Sequence, residues 1–162
     1  MARSKAGTSD IDALTDAVLT ASRLLVAVSA RSLAAVEETL TLPQFRMLVI
    51  LDSRGAVKIS TLADLLDVNP STATRMIDRL VVTEMVRRQP NPASRREVVV
   101  ELSDEGRRVV RGVTRRRKAA IGRIVASMPD HERRGLVDAL TAFAEAGGEP
   151  PATGAPGDLG WI

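Results

Sequence analysis

Hydroxyl side chains followed by two arginines about one helical turn apart suit the reading of base edges. Ser71, Thr72, Thr74, Arg75 and Arg79 stand in that order, just after Asn69-Pro70. A guanidinium can bond both major-groove acceptors of guanine, and hydroxyls reach bases or phosphates. The N-terminus of a helix adds an electrostatic preference for phosphate. Two further arginines, Arg95 and Arg96, follow the turn-forming run Pro90-Asn-Pro-Ala-Ser94, and Arg87 and Arg88 precede it. A narrow minor groove concentrates negative potential and attracts inserted arginine. The competing arrangement has Arg75 and Arg79 pairing with Asp78 or Glu84 on a solvated helix.

Catalytic chemistry finds little to work with. His131 is the single histidine and the chain has no cysteine, which excludes disulfides, thiolate zinc sites and cysteine nucleophiles. No His-x-x-x-His or Glu-x-x-His spacing occurs and no glycine-rich phosphate loop is present. The expectation is therefore a protein that is not an enzyme and holds neither metal nor cofactor.

Charge is unevenly placed. Lys plus Arg exceed Asp plus Glu by only 23 to 20, yet eleven basic residues against four acidic ones lie between Arg87 and Lys118. By charge alone, a polyanionic partner and a solvated basic face both remain open. Aromatic residues make up only 2% of the chain, so the core must be aliphatic, which suits packed helices. The start of the chain lacks the apolar stretch of a signal peptide, and no apolar run approaches the roughly 18 residues of a membrane span. The expectation is a cytoplasmic protein with no membrane partner.

The elements that must position these residues can be read from caps and periodicity. Ser9 is a candidate N-cap for a long helix reaching about Thr39. Its residues Ile11, Leu14, Val18, Ala21, Leu25 and Val28 recur in heptad-like fashion and predict a seam against a second chain. Thr41-Leu-Pro-Gln44 reads as a capping box opening a helix to about Asp52. Val57 to Ile59 predicts a very short strand, Ser60 a cap for a short helix, and Asn69 with Pro70 the start of another running to about Thr83. Val86–Gln89 and Glu97–Leu102 predict a hairpin. Ser103 caps a long helix to about Ser127, and Pro129-Asp130 separates it from a last helix carrying Leu136, Val137, Leu140 and Phe143.

On the helix from Pro70, Ala73, Ile77 and Leu80 fall on one side with Met76 close by, while Ser71, Arg75, Asp78 and Arg79 project opposite, flanked by Thr72 and Thr74. Two helices joined by a tight turn and followed by a hairpin make a winged helix-turn-helix. The fold class is therefore mainly α with a small β-hairpin wing, a DNA-binding lobe plus a helical dimerisation lobe. The organisation reads as a flexible arm over 1–9, a dimerisation helix over 10–40, the DNA-binding lobe over 41–102 and C-terminal dimerisation helices over 103–146. Residues 147–162, with five Gly, three Pro and the lone Trp161, read as a flexible tail. The partners expected are double-stranded DNA and a second copy. A winged-helix protein–protein module without DNA readout is the alternative, and the arginines on the exposed face and wing argue against it.

The stretch from Leu42 to Val110 resembles the DNA-binding lobe of the MarR (multiple antibiotic resistance regulator) family. The resemblance is carried by STATRMIDRL, VRR and VVVELSDEGRRV, the last similar to a valine-rich strand running into Leu-Thr-x-x-Gly. It implies a homodimeric regulator, more a repressor than an activator, on a pseudo-palindromic operator, released by a small aromatic or phenolic effector bound between the two lobes. Such a pocket would be lined mostly by aliphatic residues of the first two helices and the start of the long helix. By position, Ser71, Thr72, Thr74 and Arg75 fall where the family's recognition helix meets DNA, and Arg96 falls on the wing arginine. Two departures stand out: Ser94 replaces a usual wing-ordering Asp, and Glu84 replaces a frequent Gly. Some members of the family switch by cysteine oxidation, which this chain cannot do.

Overall fold

The computed structural model describes residues 3–148, without the side chains of residues 3–9, 95 and 96. Among these, helix α1 (Arg3–Ala34) is followed by α2 (Leu42–Arg54), β1 (Val57–Lys58), α3 (Ile59–Leu65), α4 (Pro70–Val82), β2 (Val86–Asn91), β3 (Ser94–Leu102), α5 (Asp104–Ser127), α6 (Asp130–Arg133) and α7 (Leu136–Ala146). No helix among the described residues is long and apolar enough to cross a membrane.

Local chemistry sets most boundaries. Thr41 and Gln44 form the expected capping box at α2, with the Thr41 amide donating to Gln44 Oε1 at 2.9 Å. Asn69 Oδ1 accepts from the Thr72 amide at 2.8 Å, and Pro70 fills the first helical position, where no amide is needed. Ser103 Oγ accepts from the Gly106 amide at 3.0 Å and starts α5.

Four expectations need correction. Helix α1 begins at Arg3, so Ser9 lies inside it, and it ends at Ala34 rather than near Thr39. The Glu37 carboxylate accepts from both the amide and the hydroxyl of Thr39, a local alternative to helical pairing that unwinds the segment. Ser60 does not cap α3: extended Lys58, leaving β1, stands at the N-cap without a side-chain bond. The last helix is two, because Gly135 takes a left-handed conformation with φ 83° between α6 and α7. The expected tail falls outside the described residues from 149 onward, Trp161 included, as do Met1 and Ala2 of the expected arm.

The three strands form one antiparallel sheet in the order β1-β3-β2, with Val57 opposite Val100 and Val86 opposite Leu102. Strands β2 and β3 reach further toward the turn than expected. Asn91 Oδ1 accepts from the Ala93 amide at 3.0 Å, closing the loop over Pro92 and Ala93 alone. Pro90 is tolerated because β2 is an edge strand.

The core is aliphatic, as the composition requires. Met47, Leu48 and Leu51 of α2 meet Leu62 of α3, Ile77 and Leu80 of α4, Val100 and Leu102 of β3, and Val109, Val110 and Val113 of α5, all fully buried. Val110 and Val113, on the helix expected to serve dimerisation, therefore face this chain's own core. Along α1 the predicted stripe divides: Val28 is buried, whereas Ile11 and Leu14 are 64% and 59% exposed. Val137, Leu140 and Phe143 of α7 are likewise exposed.

Gly106 marks the tightest junction, where α5 crosses the base of the hairpin. A Cβ there would stand 2.2 Å from the Met85 carbonyl oxygen and 2.7 Å from Leu102 Cδ1. The nearest obstacle is backbone and cannot swing aside. Gly106→Ala is expected to cost about 1–3 kcal/mol of stability through overpacking. Urea unfolding should show a lower midpoint with an unchanged slope; a midpoint equal to that of the parent would refute the clash.

Candidate nucleic-acid interface

Helix α4 divides as its wheel predicts. Ala73, Ile77 and Leu80 are buried and Met76 packs partly against the same cluster. Ser71, Arg75, Asp78 and Arg79 are exposed, with Thr72 and Thr74 half-buried beside them. The hydroxyls are oriented by short local bonds. Ser71 Oγ donates to Asn69 Oδ1 at 2.7 Å, and Thr74 Oγ1 donates to the Pro70 carbonyl at 2.9 Å. Ser71 and Thr74 thus donate to local acceptors, and their oxygens retain lone pairs that suit amino groups on base edges more than phosphate oxygens. Arg75 Nε donates to the Ser71 carbonyl at 3.3 Å. That contact steadies the side chain while leaving the two terminal nitrogens for a bidentate bond.

Neither Arg75 nor Arg79 has a carboxylate partner among the described residues. Of the two anticipated competitors, Asp78 is occupied elsewhere and Glu84 is taken up in a turn. Asp78 Oδ1 accepts from Arg88 Nη2 of β2 at 2.5 Å. Glu84 adopts the left-handed region with φ 57° and forms the turn between α4 and β2. Its carbonyl accepts from Ser103 Oγ at 2.6 Å, so the strained conformation that glycine would relieve is held in place by the cap of α5. The Asp78–Arg88 pair was not anticipated from the sequence. Its partners are ten residues apart in different element types, and only the fold brings them together.

The wing is ordered without an aspartate at position 94. Besides closing the turn, Asn91 donates through Nδ2 to Glu97 Oε2 at 2.9 Å, and Lys58 Nζ of β1 donates to Glu97 Oε1 at 2.8 Å. Gln89 also donates to Glu101 across the strands. Asn91, part of the turn-forming run, thus supplies the ordering contacts that Ser94 does not. Arg95 and Arg96 lie on β3 just past the turn; their side chains are outside the described residues. Arg87 and Arg88 are on the opposing strand, facing Glu101 and Val100 in register.

Elsewhere the chemistry is sparse. His131 is exposed on α6, with only Glu132 nearby at 4.0 Å. No cluster of potential metal ligands occurs among the described residues. Asp52, on α2, has its carboxyl pushed up by burial against the opposing pull of Arg111 and Arg107 of α5. The open grooves beside α5 are lined by Arg111, Thr114, Arg115 and Lys118 in one case, and by Asp104, Arg107 and Arg108 among others in the next.

Comparison with known proteins agrees with this geometry. Residues 40–98 match the family model described as MarR family. The chain is 57% identical to RV1404 from Mycobacterium tuberculosis, whose crystal structure it matches over 88% of its own length and 97% of that chain, with a TM-score of 0.82. It is 30% identical to the HTH-type transcriptional regulator Mb0904 of Mycobacterium bovis, over 65% of this chain and 76% of that protein. It is 29% identical to the transcriptional repressor MdtR of Bacillus subtilis, over 68% and 71% of the two chains.

The bonds to Glu97 give the wing a pH signature. The hydrogen bond from Lys58, followed by that from Asn91, holds the Glu97 carboxyl below its usual range near 4.5. Because the folded value is depressed, the stabilisation is complete above the unfolded-state range and is lost as pH falls through the folded value. An NMR carboxyl titration should place Glu97 below the usual glutamate range, and Lys58→Ala should move it upward. A midpoint unmoved by that substitution would remove Lys58 as the cause.

Proposed function

This chain belongs to the MarR family of DNA-binding transcriptional regulators, whose members are not enzymes, and from that premise we propose that it acts as a homodimeric repressor of a pseudo-palindromic operator. The observation that carries the reading is the exposed face of α4: two arginines without carboxylate partners among the described residues, beside the hydroxyls of Ser71, Thr72 and Thr74. In this proposal Arg75 bonds a guanine through its terminal nitrogens, with Ser71, Thr72, Thr74 and Arg79 contacting neighbouring bases or phosphates. Arg95 and Arg96 carry the wing into the adjacent minor groove.

Dimerisation is supported by the apolar surface that α1 and α7 leave uncovered. Ile11, Leu14, Leu19, Val137, Leu140 and Phe143 are each more than half exposed, an arrangement costly in water for a lone chain. Residues 10–40 and 103–146 would then supply the dimerisation lobe and residues 41–102 the DNA-binding lobe. Two half-sites separated by about 34–36 Å, one turn of the duplex, would meet the paired recognition helices. A small aromatic or phenolic effector that binds better to a dimer with wrongly spaced helices would release the operator, and only by the difference of its two affinities.

Three measurements test this. Sedimentation at low micromolar concentration should show one dimeric species, with a folded monomer counting against the interface. Genomic fragments recovered on the purified protein should share an inverted repeat. Arg75→Ala should then weaken binding to that repeat by about 1–3 kcal/mol and relax preference at one base pair per half-site. Equal losses on the repeat and on random duplex would reject Arg75 as a base reader.

A further inference from the structure

The exposed face of α4 carries one acid, Asp78, in a helix otherwise presenting hydroxyls and guanidiniums. Asp78 lies three residues after Arg75, a spacing at which that arginine of its own helix could take its carboxylate. It does not. The partner is Arg88, from the first strand of the wing, at 2.5 Å. Both side chains remain partly exposed, at 53% for Asp78 and 38% for Arg88, so the pair is not a buried structural bridge. Arg88 also forms part of the wall of an open groove of about 630 Å³ that Val81 and Glu84 line at the end of α4. A side chain released from Asp78 therefore has free space into which to move.

We propose that the Asp78–Arg88 pair determines selectivity, resting on the reading of α4 as the DNA-facing helix. It acts in two directions. Arg88 masks a carboxylate that would otherwise capture Arg75 at the favourable i, i+3 spacing and remove it from base contact. Asp78 in turn holds Arg88, a cation at the edge of the interface, away from phosphates that every sequence offers. Arg88 paired is a positioning residue; Arg88 released is a sequence-blind anchor. The two sides of the pair thus make opposite predictions when removed.

The test is a double-mutant cycle of wild type, Asp78→Asn, Arg88→Gln and the double variant. Each is titrated by fluorescence anisotropy against the recovered repeat and a random duplex of equal length, over a series of salt concentrations. Arg88→Gln should lose at least about fivefold on the repeat, the lower end of one lost bidentate contact. The double variant should recover most of that loss, since no carboxylate remains to capture Arg75. Asp78→Asn should tighten binding to the random duplex at low salt, with the log–log salt slope steeper by about 0.9 per additional phosphate contact. A loss in Arg88→Gln that Asp78→Asn does not relieve would make Arg88 a direct DNA contact and overturn the proposal. So would an Asp78→Asn variant that weakens on the repeat with an unchanged slope on random DNA, the signature of a base-reading carboxylate. Should Arg88→Gln not fold, by circular dichroism, the slope of Asp78→Asn on random duplex decides alone. The reading of α4 fails separately, if wild type ignores DNA or if Arg75→Ala binds the repeat as wild type does.

Discussion

One hydroxyl holds three elements in register. Ser103 Oγ accepts from the Gly106 amide to begin α5 and donates to the Glu84 carbonyl to fix the turn that leaves α4. The Ser103 amide meanwhile donates to the Met85 carbonyl at 3.1 Å. The end of the recognition helix, the base of the wing and the start of the long helix are thereby fastened within a few ångströms. An alanine at position 103 would strip a buried cap of both bonds, and the left-handed Glu84 would lose the partner that holds it. The angle between recognition helix and wing, on which simultaneous contact with two grooves depends, traces back to this junction.

Outward from the junction, the electrostatics are arranged by local pairing. Arg108 pairs with Glu105, Arg133 with Asp130 and Lys58 with Glu97, all at the surface. Exposed pairs of this kind contribute about 0–1 kcal/mol each and cannot account for the fold. Their effect is on what remains. Acids near the wing and the start of α5 are mostly engaged, so the positive potential at the reading face comes from Arg75 and Arg79. The small net charge of +3 therefore understates the local field.

Much of this was legible in the sequence because the signals were local. Thr41 with Gln44, Asn69 with Pro70, and Ser103 name their helix starts through side-chain chemistry spanning three residues. The buried face of α4 followed from periodicity alone, and Glu84 stood out as a residue standing where the family often has glycine. What stayed hidden depended on contacts across the fold. The Asp78–Arg88 pair, the ordering of the wing by Asn91 and Glu97, and the inward direction of Val110 and Val113 are set by how elements meet. The early end of α1 was missed for a different reason: Glu37 and Thr39 compete with the helix through a side-chain bond that apolar periodicity does not register.

The sheet is also notable for the edges it withholds. On one side, β2 carries Arg87, Arg88 and Pro90, and proline cannot donate to an incoming strand. On the other side β1 covers β3 for only two residues, leaving the segment from Ser94 to Val98 open along that flank. Three of its five residues are charged. A neighbouring chain seeking to extend the sheet would meet charged residues on one flank and a missing donor on the other. The projecting hairpin, the part of the molecule most available for unwanted strand exchange, is therefore guarded against self-association by the same arginines that suit it to a nucleic acid.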